Sequence, residues 1–286
     1  MNRWLWTMTV AATVSTALGC SETTPVRPAH AGSADAPVSL SSGTAGGDFH
    51  YEKAIVPPKS LEIRGVNGNV RALGTPSGTV EVRATKKAER GDPASQRVVV
   101  AEHDAGVVIC ALSANQPDSD CKPADESDYA PRGTNSSGAD VKVDFEVRVP
   151  AGVPFIARTL NGDIEAKEMR GQVRLLTLNG DVDVSTTGRL VAKTLNGRIV
   201  APLASGVKVP VQLEAVNGSI ELRAPEDASF DLNATTVSGH IASDFAIPAG
   251  RAGGGLPETV SAKVGSGGAR VALKTVSGDI TVKRLR

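Results

Sequence analysis

Three cysteines, four histidines and dispersed carboxylates are the side chains here that could bind metal, exchange electrons or attack a substrate. Cys110 and Cys121 bracket a ten-residue polar segment. In an exported chain such a pair is expected to oxidise, and closing so short a loop contributes roughly 3 kcal/mol in the chain-entropy account. A metal or redox site would need further ligands, but the pair is not Cys-x-x-Cys and the nearest histidine is His103. His30 and His50 lie towards the N-terminus, which leaves His103 and His240, far apart in sequence. No Gly-x-Ser-x-Gly elbow or metal-binding histidine pair accompanies them. Gly265-Ser266-Gly267-Gly268 reads as a turn, because neither a helical pattern nor a P-loop lysine follows it. The expectation is a chain that is not an enzyme, with no catalytic residues, no metal and no cofactor.

Cys20 has a different chemistry. Arg3 opens the chain with positive charge, Leu5 to Leu18 form a short apolar run without acids, and Ala17-Leu18-Gly19 precedes the cysteine. A run of that length reads as a signal peptide and not as a membrane span. Gly directly before Cys resembles the bacterial lipoprotein cleavage box, with a departure at Ala17 and Leu18; the resemblance implies that Cys20 is lipidated. The competing reading is ordinary cleavage after Ala29-His30-Ala31, but that site lies far beyond the apolar run. Ser21 after the cysteine, by similarity to enterobacterial sorting, points to the outer membrane. The expected layout is a lipoprotein signal peptide at 1–19, then a lipidated Cys and disordered tether at 20–48, rich in Ser, Thr, Ala, Pro and Gly. The expected location is the bacterial cell envelope, with the outer membrane favoured, held there by the N-terminal lipid anchor.

Beyond the tether, removing Arg3 leaves 30 basic against 31 acidic residues, so no electrostatic footprint for nucleic acid exists. Trp4 and Trp6, the two tryptophans, fall inside the signal peptide, and aromatic residues are only 3% of the chain. That scarcity weakens any case for single-strand binding on aromatic platforms.

The elements that must position these residues come from a repeat. Seven times an aliphatic residue is followed by Asn-Gly or Ser-Gly, a variable residue, and Ile or Val: at Asn67-Gly68, Asn161-Gly162, Asn179-Gly180, Asn196-Gly197, Asn217-Gly218, Ser238-Gly239 and Ser277-Gly278. From the second to the sixth copy the spacings are 18, 17, 21 and 21 residues. A short, near-constant period means one supersecondary unit stacked on its copies. Between the motifs, apolar residues alternate with polar ones and glycine recurs every eight or nine positions, which is a strand signal. The expected fold is all-β: a single-stranded β-solenoid of coils about 18–21 residues long, with an antiparallel meander or sandwich as the alternative. Motif parity favours the solenoid. Leu160 and Ile164, and their counterparts, are aliphatic in all seven copies; both facing inward implies a corner around one core, not a two-residue hairpin.

In such a stack the Asn and Ser positions line up about 4.8 Å apart and can pass amide hydrogen bonds from coil to coil, with Ser238 and Ser277 extending the row through one hydroxyl each. The adjacent Gly supplies a positive φ. Asp163, Asp181, Arg198, Ser219, His240 and Asp279 share the variable position and read as solvated turn residues. Residues 49–150 form an N-terminal β segment and cap, and 151–286 the repeat solenoid, continuous with it. The basic residues Lys283, Arg284 and Arg286 guard the far edge against strand pairing.

These motifs, together with the alternating strand Val141 to Val149 and its Pro150-Ala151-Gly152-Val153 exit, resemble the bacterial putative-adhesin family of β-strand repeats, also called toastrack-like. The resemblance spans roughly Leu61 to Lys283. It implies a cell-envelope component, sometimes linked to envelope stress, and supplies no catalytic residues. The resulting expectation is a non-enzymatic, lipid-anchored envelope module that binds an envelope protein, peptide or glycan and no nucleic acid. A polysaccharide-acting β-helix enzyme and a purely structural scaffold are the alternatives.

Overall fold

Five-residue apolar–polar alternations can bury their apolar sides only by lying against one another as strands. The structure, a computed structural model, describes residues 39–42, 48–76, 78–123, 140–203, 208–248, 251–253 and 256–285. The expected signal peptide, Cys20 and most of the expected tether lie outside them. Within the described residues the N-terminal part supplies β1 (Ser39–Ser42), β2 (Phe49–Ala54), β3 (Ser60–Arg64), β4 (Val70–Thr75), β5 (Thr79–Arg90), β6 (Gln96–His103), β7 (Gly106–Ser113) and β8 (Asp140–Pro150). The motif coils follow as pairs of strands about each corner. They are β9 (Phe155–Asn161) with β10 (Ile164–Met169), β11 (Val173–Asn179) with β12 (Val182–Thr186), and β13 (Leu190–Asn196) with β14 (Ile199–Pro202). Next come β15 (Val211–Asn217) with β16 (Ile220–Ala224) and β17 (Phe230–Ser238) with β18 (Ile241–Ser243). The chain ends with β19 (Arg251–Gly253), β20 (Leu256–Val264), β21 (Ala269–Ser277) and β22 (Ile280–Arg284).

Strands before the corner build one sheet and strands after it build the other. The orders are β1-β6-β7-β3-β9-β11-β13-β15-β21-β17-β20-β19 and β18-β22-β16-β14-β12-β10-β4-β8-β5-β2. Every pairing between motif coils is parallel and the corners are in register, for example Asn161↔Asn179↔Asn196↔Asn217, with one slip between β10 and β12 after Ala166. This is the flattened solenoid; independent antiparallel hairpins would give the opposite pairing. One hydrophobic cluster runs between the sheets from Phe49 to Val282, with Leu175, Val184, Ile199, Leu213 and Ile280 fully buried. Burial of such side chains, each worth roughly 1.5–3 kcal/mol, is the main favourable term holding the two sheets together.

The stack ends in antiparallel strands. Beyond β3 and β7, β6 and β1 pair antiparallel; beyond β8, so do β5 and β2. β1 lies inside the segment read as tether. Its serine-rich sequence has no apolar alternation, yet its backbone pairs with β6 from Ser39↔Glu102 to Ser42↔Val99.

Chain order is broken at the other end, which corrects the expectation for the last coils. β21 and β22 insert between β15/β16 and β17/β18, so the corners run Asn217, Ser277, Ser238 in space. The reason lies in the long excursion after Ser238: β20 returns antiparallel along one edge of β17, leaving the other edge to β21. Lys283 and Arg284 therefore sit on an interior strand. Their side chains pair with Glu221 and Glu226 at 2.8 and 2.9 Å, and the Arg284 guanidinium lies 5.6 Å over the Phe245 ring. Arg286 lies outside the described residues.

Candidate functional site

The corners bring together the recurring polar residues of the sequence. Asn161 Nδ2 donates to Asn67 Oδ1 at 2.8 Å, Asn179 to Asn161 at 2.7 Å, Asn196 to Asn179 at 2.7 Å and Asn217 to Asn196 at 2.9 Å. Past Asn217 the row continues through the backbone: Gly218 N–H donates to Ser277 O and Gly278 N–H to Ser238 O, both at 2.8 Å. The neighbouring glycines are required mainly by close stacking. A Cβ on Gly197, which has φ +153°, would sit 2.0 Å from Gly180 O. One on Gly180, which needs no positive φ, would still sit 2.1 Å from Gly162 O.

Two further ladders flank the first and were not read from the sequence. At the variable position the side chain of one coil accepts the backbone N–H of the next: Asp163 N to Asn69 Oδ1, Asp181 N to Asp163 Oδ1, Arg198 N to Asp181 Oδ1 and His240 N to Asp279 Oδ1, at 2.7–2.9 Å. Asp144 on β8 closes the series by accepting from Asn69 N–H at 2.9 Å. Two residues before Asn179, Asn196, Ser238 and Ser277, buried Thr177, Thr194, Thr236 and Thr275 donate to a glycine carbonyl of the adjacent coil at 2.8–3.0 Å. The recurring Thr-x-Asn-Gly and Thr-x-Ser-Gly spacing was the available signal. Ala215 breaks it.

At six of the seven corners the aliphatic residue before the Asn or Ser is not in the core, and this overturns the parity premise. Thr and the post-corner Ile or Val point inward, whereas Leu160, Leu178 and Leu195 are half-buried and Val216, Val276 and Val237 are 37, 39 and 50% exposed. The corner spends an extra position on the Asn, so inward-facing residues resume only at Ile164 and its equivalents. Six aliphatic side chains thus form an outward row beside the amide ladder. Val66, at the first corner, is buried.

Cys110 and Cys121 form the expected disulfide, with Cα atoms 5.7 Å apart. It pins the turn after β7 over the outer face of the larger sheet, where Val99, Ala101, Val108 and Leu112 make a second, small apolar cluster with the two cysteines. Arg97 anchors the same turn through Asp118 and Gln116 O, both at 2.6 Å, and Arg64 through Lys122 O at 2.8 Å. Beside it Arg158 and Glu62 pair at 3.1 Å with almost no exposure. A buried pair of this kind is costly to break but is poor evidence of stabilisation.

The solvent face of the smaller sheet carries a groove of about 370 Å³ over β10, β4, β8 and β5. Glu81 is its hub, accepting from Arg83 at 2.7 Å and lying 3.5 Å from Arg148 Nε and 3.4 Å from His50 Nε2. Hydrogen bonding from Arg83 holds the Glu81 carboxyl below the usual carboxylate range, against a smaller opposing effect of desolvation. His103 ends β6, where burial lowers its pKa, and His240 is exposed at a corner. The histidines are not brought together. Among the described residues no group of three His, Cys, Asp or Glu side chains could hold a metal ion, and no helix is long and apolar enough to cross a membrane.

Residues 112–283 match the family described as Toastrack DUF4097. No curated protein matches the chain. Solved structures that resemble it include a putative cell adhesion protein from Clostridium sporogenes, 11% identical with TM-score 0.37, the match covering 84% of this chain and all of that one. Putative adhesins from Bacteroides fragilis (16% identical, TM-score 0.23) and Parabacteroides merdae (12%, 0.22) each match over 84% of this chain and 97% of theirs.

Proposed function

This chain belongs to the Toastrack DUF4097 family, and on that premise we propose that it is a non-enzymatic module of the bacterial cell envelope, lipid-anchored at Cys20, that docks an envelope protein, peptide or glycan along its corner edge. The observation that carries the reading is the outward row Leu160, Leu178, Leu195, Val216, Val276 and Val237 beside the Asn ladder. A contiguous exposed apolar strip rimmed by polar groups is the usual mark of an interaction surface. Neighbouring coils are about 4.8 Å apart, so six rungs span roughly 24 Å of straight, regular surface. The amides beside it offer donors and acceptors at the same period. The lipid anchor rests on the Gly19-Cys20 junction after the apolar run.

The test has two parts. Growth with a labelled fatty acid should label the wild type and not Cys20→Ala; an unlabelled wild type removes the anchor. The full chain carrying both Val216→Lys and Val237→Lys should lose partners from envelope extract that the wild type retains, with its melting temperature unchanged because both sites are exposed. Equal retention by the variant removes the corner edge, and turnover of an envelope glycan by the wild type contradicts the non-enzymatic reading.

A further inference from the structure

The groove on the smaller sheet is separate from the corner edge and makes a claim of its own. Arg83, Glu146 and Arg71 stand side by side on adjacent strands, and Arg148 lies two residues further along β8. Strand spacing and rise place the three arginine Cα atoms roughly 8–10 Å apart. Their side chains are 62–67% exposed. Two are loosely held: Arg71 Nε lies 3.7 Å from Glu165, and Arg148 Nε 3.5 Å from Glu81, which Arg83 already occupies. Between them Leu73 presents an aliphatic surface 43% exposed.

We propose that this groove binds an acidic oligosaccharide. Guanidinium forks match carboxylates, and arginines spread this far apart fit several acid groups along a chain, not one small anion. Glu146 and Glu165, interleaved with the arginines, accept hydrogen bonds from sugar hydroxyls. Leu73 packs against the C–H face of a pyranose ring. An acidic peptide fits less well. β4, β8 and β5 are interior strands paired on both sides, so no main-chain edge is open for strand addition.

The full chain in detergent is titrated calorimetrically with trigalacturonate, with maltotriose, triglutamate and inorganic phosphate as comparison ligands. The expected result is saturable binding of trigalacturonate that weakens with added salt and falls roughly tenfold in Arg71→Gln or Arg148→Gln, the loss of one charge-assisted contact. Arg90→Gln, at the far end of β5 and outside both the groove and the corner edge, binds as wild type. Leu73→Glu abolishes binding by a second route, and unchanged melting temperatures show that these exposed substitutions leave the fold intact. Maltotriose gives no binding. The proposal is overturned by absence of saturable binding, by an Arg148→Gln variant that binds as wild type, or by triglutamate or phosphate binding as tightly as trigalacturonate.

Discussion

At the scale of single residues, each corner is held by three kinds of side chain that act on the next coil. Asn179 donates to Asn161 and accepts from Asn196, so Asn179→Ala should lower stability by about 1 kcal/mol, read from chemical denaturation. The exposed row keeps that cost small, because water can satisfy the freed amides. From the Asn161 corner onward Ala215 is the rung without a hydroxyl, while its register neighbour Thr194 donates to Gly180 O at 3.0 Å. Ala215→Thr should therefore gain up to about 1 kcal/mol and raise the melting temperature; a loss would show that the corner has no room for it. Asp144 titrates in this network. Burial pushes its carboxyl up, but the Asn69 N–H and Lys87 outweigh that and leave it below the ordinary value. A depressed folded-state pKa gives stability that is present above the unfolded value of about 4 and lost as pH falls through the folded one. Asp144→Asn should flatten the decline in stability below about pH 4, measured as denaturation midpoint against pH. The Asn row was legible because its spacing is nearly constant. The Thr ladder was in plain view too, but a threonine in a strand looks like ordinary β propensity.

At the scale of elements, inward strand faces were read correctly from alternation, while the faces at corners were not. Leu160 and Ile164 flank the turn on opposite sides of its surface, because Asn161 itself stands outside the core. Two-residue periodicity cannot say how many positions a corner consumes, so the hydrophobic residue there was misassigned inward. The turn after β7 is a different sort of element, held by side chains and a covalent bond in place of a ladder. Cys121→Ser should cost about 3 kcal/mol, with faster hydrogen exchange across 106–123 and little change in the repeat strands. Uniformly faster exchange along the whole stack would mean that the disulfide supports the core and not only the flap. The Cys110–Cys121 pairing was readable because they are the two cysteines beyond Cys20 in a chain read as exported. Nothing in the spacing announced the buried Arg158–Glu62 pair beneath it, since each residue occupies an outward position that is solvated elsewhere on the sheet.

At the scale of the molecule, a continuous parallel stack explains why one core serves both the N-terminal segment and the repeats. It also explains why the recurring side chains form straight rows along the surface. The sequence made the stack legible but not its order. The motifs at Ser238 and Ser277 are both Thr-Val-Ser-Gly, so either suits the place beside Asn217, and only the pairing of β20 with β17 decides between them. The central claim is that neighbours in space are Asn217 with Ser277, then Ser277 with Ser238. Paired cysteines at these exposed corners test it most directly, introduced into the Cys20→Ala chain and oxidised briefly. Adjacent in-register strands bring Cα atoms within the roughly 4.4–6.8 Å a disulfide spans, whereas corners two rungs apart are about 10 Å distant. The inserted order predicts rapid crosslinking of Asn217→Cys with Ser277→Cys, and none of Asn217→Cys with Ser238→Cys. Crosslinking of the second pair in place of the first would contradict it.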